Sequence, residues 1–255
     1  MAGMARLPRA ILFDLDETIL SFPQRTATLR ALAEAHREHL GPHPPEAVVE
    51  AVERAFAEFW SDAARHKLWR FRLAEARSRI VAEVFAALSA EAPSLTPDVA
   101  AAFAERFHAE RERGVCIFPG ACETLDALKA RGVTLALVTN GDAETQRAKI
   151  TQFDLERRFD HVQIEGEHGF GKPDERAYRH ALQTLGCEPC DAWMVGDNLE
   201  WEVVAPQKLG IYAVWCDPYG RGLPEGSGVR PDRIVRSLPE LLEGLEASCS
   251  AARPT

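Results

Sequence analysis

Asp14, Asp16 and Glu17 place three carboxylates within four residues in the stretch "ILFDLDETIL" (residues 11–20). Buried charge is costly unless it is paired or binds a metal. Either an apolar strand ends here raggedly in solvent, or the carboxylates gather around a cation. Residues two apart on an extended segment share a face, so Asp14 and Asp16 can point into one pocket. A further acid, Asp197 in "MVGDNLEWE", closes another apolar run. Three carboxyl groups brought together repel one another into protonation unless a cation sits among them. All-oxygen donors, with no His or Cys nearby in sequence, favour a hard ion such as Mg2+.

The complementary charge is Lys172 in "GFGKPDE", just ahead of a helix start. Its ammonium can neutralise a carboxylate nucleophile and an incoming anion together. Thr139, Asn140 and Gly141, "TNG", supply a hydroxyl, an amide and loop N–H groups suited to phosphate oxygens. A metal, a carboxylate nucleophile, a lysine and small donors together describe phosphoryl transfer through an aspartyl-phosphate. Taken singly, each piece has a plainer explanation: strand-end Asp residues cap helices, and an isolated Lys is solvated. Their placement in order on separate strand ends carries the inference.

Such residues need a scaffold that gathers separate strand ends. Continuous apolar runs recur at 9–15, 133–141, 161–167, 192–198, 211–217 and 232–238. Runs without alternation suit parallel strands covered on both faces. Between them lie the helical patterns "GACETLDALKARG", "DAETQRAKITQFDLE", "DERAYRHALQTLG" and "LEWEVVAPQKLG", several closing on Gly132, Gly186 or Gly210. The alternation predicts an α/β fold with a doubly wound parallel sheet, whose ligands bind at the carboxyl ends of the strands.

Residues 23–114 break the alternation. They hold no strand candidate, only apolar stripes at three-to-four spacing: Leu29, Leu32, His36 and Leu40; Val48, Val52, Phe56, Phe59 and Trp60; Leu73, Ile80, Val84 and Leu88; Val99, Phe103 and Phe107. The pattern predicts an all-helical bundle inserted after the first strand, its aromatic residues in a core rather than on a binding surface. Thr96 followed by Pro97 reads as a helix start. The glycine-rich stretch 218–231 reads as a long loop rather than a phosphate cradle, because no helix pattern follows it directly.

The 255 residues, 46% apolar and 27% charged, suffice for one large domain or two modest ones. A formal charge of −9 argues against nucleic acid or an anionic membrane as partner. "MAGMARLPRA" has no apolar signal-peptide region, and no run approaches the roughly 18 apolar residues of a membrane span. The expectation is a cytoplasmic protein with reduced thiols at Cys116, Cys122, Cys187, Cys190, Cys216 and Cys249. "CEPC" (Cys187 and Cys190) stands alone, without a second pair at zinc-ligand spacing; redox or metal use is its alternative. The eight histidines show no ligand spacing, and His36 with His39 fits a solvated helix face. Oligomeric state is not legible.

"FDLDET", "VTNG", "GKP" and "MVGDNLEWE" resemble the four ordered motifs of the haloacid dehalogenase-like hydrolase superfamily, over roughly 8–22 and 115–240. The resemblance implies a Rossmann-like core of residues 1–22 and 115–255, with 23–114 in the place of that family's helical C1 cap. By position, Asp14 resembles the nucleophile and Asp16 the general acid that later activates water. The Asp14 and Asp197 carboxylates and the Asp16 backbone carbonyl would hold Mg2+. Thr139 and the Asn140 backbone would hold the phosphoryl group, with Lys172 steadying its charge. The dehalogenase branch lacks an Asp at position 16, so its presence points to phosphate esters. Glu202 stands where many members carry Asp, and Ala205-Pro206 where they carry Gly-Ala. Asn198 and Glu202 are therefore expected behind the metal ligands, Glu202 reaching the metal shell or Lys172.

About 30 residues separate "TNG" from "GKP", too few for the family's larger second-position cap, so specificity should fall to the helical insert acting as a lid. Its stretch "ARHKLWRFRLAEAR" offers Arg65, His66, Lys67, Arg70, Arg72 and Arg77. Arg70, between Trp69 and Phe71, is the candidate cation for an anionic substrate; a solvated helix face is the alternative. The expected activity is hydrolysis of a small phosphorylated metabolite, a sugar phosphate, nucleotide or acylneuraminate phosphate. A phosphomutase would share all four motifs. A phospho-acceptor domain of the response-regulator kind would lack the large helical insert, and a binding protein without turnover would not need all four charged positions.

Overall fold

The computed structural model describes residues 7–243 of the chain. Two compact units emerge: Phe22–Cys116, and the residues before and after it.

The flanking unit is built on six strands: β1 (Ala10–Phe13), β4 (Thr134–Thr139), β5 (His161–Ile164), β6 (Ala192–Gly196), β7 (Tyr212–Cys216) and β8 (Arg233–Val235). Their order is β5-β4-β1-β6-β7-β8, and every pairing is parallel. The chain works outward from β1 in one direction and then returns to β1's other side, so the order reverses between β1 and β6. This is the Rossmann-like doubly wound sheet, a fold in which ligands bind where the strand order reverses. Side-chain alternation divides the strands between two faces. Ala10, Leu12, Ala136, Val138 and Met194 pack with Tyr178, Ala181 and Leu182 of a helix on one face. On the other, Phe13 meets Phe159 edge-on at 6.3 Å.

The helices of this unit are α6 (Ala121–Ala130), α7 (Ala143–Gln152), the short α8 (Glu165–His168), α9 (Glu175–Leu185) and α10 (Ala205–Lys208). Gly186 ends α9 in the left-handed conformation at φ +61°, as its sequence position requires. Two expectations change. The strand expected over 161–167 stops at Ile164, where the chain turns into α8 and the Gly166 amide donates to Gly141 O at 3.0 Å. The pattern over 199–210 begins as a π-helical turn, Leu199–Val204. Pro206 has no N–H to return to the Glu202 carbonyl, so the turn before it widens.

The other unit is helical throughout its interior. Its helices are α1 (Arg25–Ala35), α2 (Pro45–Ser61), α3 (Ala63–Trp69), α4 (Leu73–Leu88) and α5 (Pro97–Gly114), between the short strands β2 (Leu20–Ser21) and β3 (Cys116–Ile117). Leu29, Val52, Phe56, Ile80, Phe85 and Phe103 form its core. The expected stripes are core except at Leu73, which is half-buried outside it, and His36, which is half-buried against the Phe103 ring at 5.4 Å rather than on a solvated face; α3 is an additional helix that no stripe announced. Thr96 caps α5, its hydroxyl accepting from Val99 N at 3.4 Å. Among the described residues, no helix is long and apolar enough to cross a membrane. Cys122, Cys187, Cys190 and Cys216 are free thiols, and Cys249 lies outside the described residues.

Candidate active site

The expected residues lie at the carboxyl ends of the strands: Asp14 and Asp16 after β1, Thr139 and Asn140 at the end of β4, Lys172 beyond β5 and α8, and Asp197 and Asn198 after β6. Asp14 follows β1, its amide donating to Val195 O of β6 at 2.9 Å. Lys172, fully buried at 0% exposure, donates from Nζ to Asp14 Oδ1 at 2.6 Å and lies 2.8 Å from Glu202 Oε1. Glu202 therefore reaches Lys172 directly. Its other oxygen accepts from the Asn198 amide at 2.7 Å. Asn198 caps the π-helical turn, its Oδ1 accepting from Glu200 N at 3.0 Å and Trp201 N at 3.1 Å. One side chain thus shapes the turn that aims Glu202. A Cβ on Gly196 would lie 2.1 Å from Glu202 Cγ, so only glycine lets the carboxylate pass over the end of β6.

The electrostatics of this cluster are unbalanced. Burial alone would lower the Lys172 pKa, but Asp14 and then Glu202 reverse that and hold the ammonium well above the ordinary lysine range. Burial raises the Asp14 carboxyl despite Lys172. Burial likewise pushes Glu202 up to about 7. Asp197 is raised well above the usual carboxylate range, by burial first and the Asp14 charge next. One lysine does not offset three acids, and a divalent cation would supply the missing charge. The donors fit a hard ion. Among the described residues the acids of this site form no group of three at mutual ligand spacing, and Mg2+ is held by one or two carboxylates while keeping several waters.

Asp16 and Glu17 part company with Asp14. The Asp16 carboxylate accepts from Lys149 Nζ at 2.8 and 2.9 Å and from Gln146 Nε2 at 3.1 Å. Glu17, in the left-handed region at φ +59°, accepts from the Tyr219 hydroxyl at 2.6 Å. The three carboxylates of the opening stretch therefore serve three different partners. Gln146 Nε2 also donates to Thr139 Oγ1 at 2.6 Å and to Asn140 O at 3.1 Å, joining the ends of β1 and β4. Sequence reasoning missed both Gln146 and Lys149. The available signal was the poverty of α7 itself: of the ten residues in "AETQRAKITQ", only Ala143, Ala148 and Ile150 are apolar. A helix packed on a sheet with so few apolar residues must bury polar ones, which then need partners.

Asn140 performs an additional task. Its Nδ2 donates to Lys172 O at 2.7 Å, and its Oδ1 accepts from Lys172 N at 2.8 Å. This reciprocal pair fixes the backbone that carries the lysine. Glu165, buried at the start of α8, accepts from Gly141 N at 3.2 Å and anchors the same loop. The Asp197 carbonyl accepts from Trp215 Nε1 at 2.7 Å. In the helical unit, Arg70 is 6% exposed, its guanidinium 5.9 Å from the Phe71 ring. Arg77 is buried as well, 2.6 Å from His108 Nδ1. A solvated face therefore does not describe these two arginines, although Arg65, Lys67 and Arg72 are exposed.

The profile of a family described as "Hydrolase: haloacid dehalogenase-like hydrolase" matches residues 8–210. The chain is 35% identical over 250 residues to a phosphoserine phosphatase of Thermus thermophilus, covering 91% of this chain and 97% of that one. It is 30% identical over 210 residues to a ribulose-1,5-bisphosphate 5-phosphatase of Halopiger xanaduensis, covering 82% and 84%. In fold it resembles a HAD-hydrolase of Bacillus subtilis, with a TM-score of 0.68, 23% identity and coverage of 93% and 97%.

Proposed function

This chain belongs to the haloacid dehalogenase-like hydrolase family and is a phosphoric monoester hydrolase, and we propose that it hydrolyses a small phosphorylated metabolite through an aspartyl-phosphate on Asp14, with Mg2+ bound. The observation that carries the reading is the buried Asp14–Lys172–Glu202 cluster at the reversal of the sheet, with Asp197 alongside. The Asp14 and Asp197 carboxylates and the Asp16 carbonyl would hold the ion. When bound, it supplies positive charge to the carboxylates and to the phosphoryl oxygens.

In the first half-reaction an Asp14 oxygen attacks phosphorus, the P–O bond to the alcohol breaks, and Asp16 gives its proton to the departing oxygen. In the second, Asp16 takes a proton from water, the hydroxide attacks phosphorus, and the Asp14 P–O bond breaks to release phosphate. The cycle restores both groups. Lys149 Nζ, donating to both Asp16 carboxylate oxygens at 2.8 and 2.9 Å, holds that side chain in place for the exchange. Thr139 and the backbone of Asn140 would hold the phosphoryl oxygens, and Lys172 would keep Asp14 ionised for attack. Substrate selection is assigned to the helical unit, with Arg70 as its cation. A cytoplasmic location, without nucleic-acid or membrane partners, belongs to the same reading.

The relatives act on phosphoserine and on a sugar bisphosphate, so the test is phosphate release from phosphoserine, sugar phosphates, nucleotides and an aryl phosphate. Release should require Mg2+, stop with chelator, and fall by at least about 1,000-fold in Asp14→Asn. Isomerised ester without free phosphate would replace the reading with a phosphomutase. Absence of any turnover in folded protein with Mg2+ would replace it with a binding role.

A further inference from the structure

Outside the acidic centre, His161, His168 and His180 present one ring nitrogen each, all within 4.8 Å of one another. They come from three successive elements: His161 opens β5, His168 closes α8, and His180 lies within α9. The hydrogen bonds around them define the tautomers. His168 Nδ1 faces the Ile164 carbonyl at 3.1 Å, and a carbonyl only accepts, so Nδ1 carries the proton. His180 Nδ1 faces Gln163 Oε1 at 2.8 Å, and Gln163 is oriented by its Nε2 donating to Ala177 O at 2.9 Å. Its Nδ1 is therefore also protonated. In both rings the Nε2 lone pair remains for a ligand. His161 Nε2 is buried and makes no hydrogen bond. Burial above all, helped by His180 and His168 and opposed by Gln163, lowers the His161 pKa and favours the neutral imidazole that metals take.

We propose that His161, His168 and His180 form a binding site for a borderline transition-metal ion of the Zn2+ class, separate from the hard-ion centre at Asp14 and Asp197. Three imidazoles without a carboxylate select Zn2+ over Mg2+. Histidine ligands whose second nitrogen donates to a carbonyl or amide oxygen are oriented as metal ligands usually are. Tetrahedral nitrogens about 2.0–2.1 Å from zinc sit about 3.3–3.4 Å apart, so the ion draws the rings together. Phe170, with ring centroids 5.8 Å from His168 and 5.7 Å from His180, forms an apolar wall. All three rings are half-buried, which leaves the fourth position to water. Lys172 lies in the chain between His168 and His180, so the ion ties together the segment that carries the active-site lysine.

The test is Zn2+ binding by calorimetry in excess Mg2+, on the full chain. Wild type and the Asp14→Asn/Asp197→Asn variant should each bind one Zn2+, and His168→Gln/His180→Gln should lose it. Gln163→Ala, which frees the His180 ring, should weaken binding by roughly 10–100-fold. In wild-type protein, Zn2+ should shift the imidazole NMR signals of His161, His168 and His180 together, a readout that needs no variant. Zn2+ binding that disappears with the two aspartates, or survives loss of the histidines, would overturn the proposal. So would the absence of Zn2+ binding, or unmoved imidazole signals.

Discussion

Lys172 sits between two acids and makes the residue-scale energetics of the site unusually one-sided. Replacing it with Met leaves Asp14 and Glu202 buried without their ammonium. Breaking a buried pair from one side costs about 3–5 kcal/mol. Lys172→Met should lose stability of that order in urea unfolding, together with catalysis. Adding Glu202→Gln removes one of the orphaned charges and should return part of the stability while activity stays absent. Equal stability of the single and double variants would show that Glu202 gains nothing from Lys172. Asn140 works at one remove, since its side chain holds the Lys172 backbone rather than the ammonium.

Among the elements, α7 matters most for the chemistry and is poor in apolar residues for a ten-residue helix. Asp142 caps it, accepting from the Thr145 amide and hydroxyl at 2.9 Å each. Loss of such a cap costs about 1 kcal/mol. Asp142→Ala should lower stability by about that amount and slow turnover, because Gln146 and Lys149 ride on the helix; Asp142→Ser should recover both. Normal turnover in a destabilised Asp142→Ala protein would separate the cap from the positioning of Asp16. Helix α3 carries a different signal. His66, 4.9 Å from the Trp60 ring, is pushed down to about 4 by burial and then by the Arg70 charge. Unfolded histidine titrates near 6.5, so between those values the unfolded chain binds more protons and stability falls as pH falls. His66→Phe should flatten the loss of stability between about pH 6.5 and 4, read as denaturation midpoints across that range. Parallel pH profiles for the two proteins would remove His66 as the cause.

The whole molecule consists of two units with separate cores. The helical unit buries Leu29, Val52, Phe56, Ile80, Phe85 and Phe103 within itself, and a unit with its own core can fold alone. A fragment of residues 22–116 should therefore show helical circular dichroism and a cooperative thermal transition. A broad, non-cooperative melt would mean that its order depends on the rest of the chain.

Much of this protein was legible in its sequence. Unbroken apolar runs give parallel strands because both faces of such a sheet are covered, and all six expected strands form the sheet. Apolar stripes at helical spacing produce the helical unit for the same reason: burial repeats with the geometry of the backbone. The acids and the lysine at the strand ends could be named because a doubly wound sheet leaves little choice about where those ends meet. Only the tertiary structure could show that Asp16 pairs with Lys149, 133 positions away, or that Gln146 ties Asp16 to Thr139. A polar side chain on a helix looks solvated until the helix is placed. The three histidines likewise had no common spacing, because β5, α8 and α9 each follow their own period. They meet only when α8 and α9 come beside β5, α8 tied down by the Gly166 amide and the Glu165 carboxylate at Gly141 and α9 by the burial of Tyr178, Ala181 and Leu182.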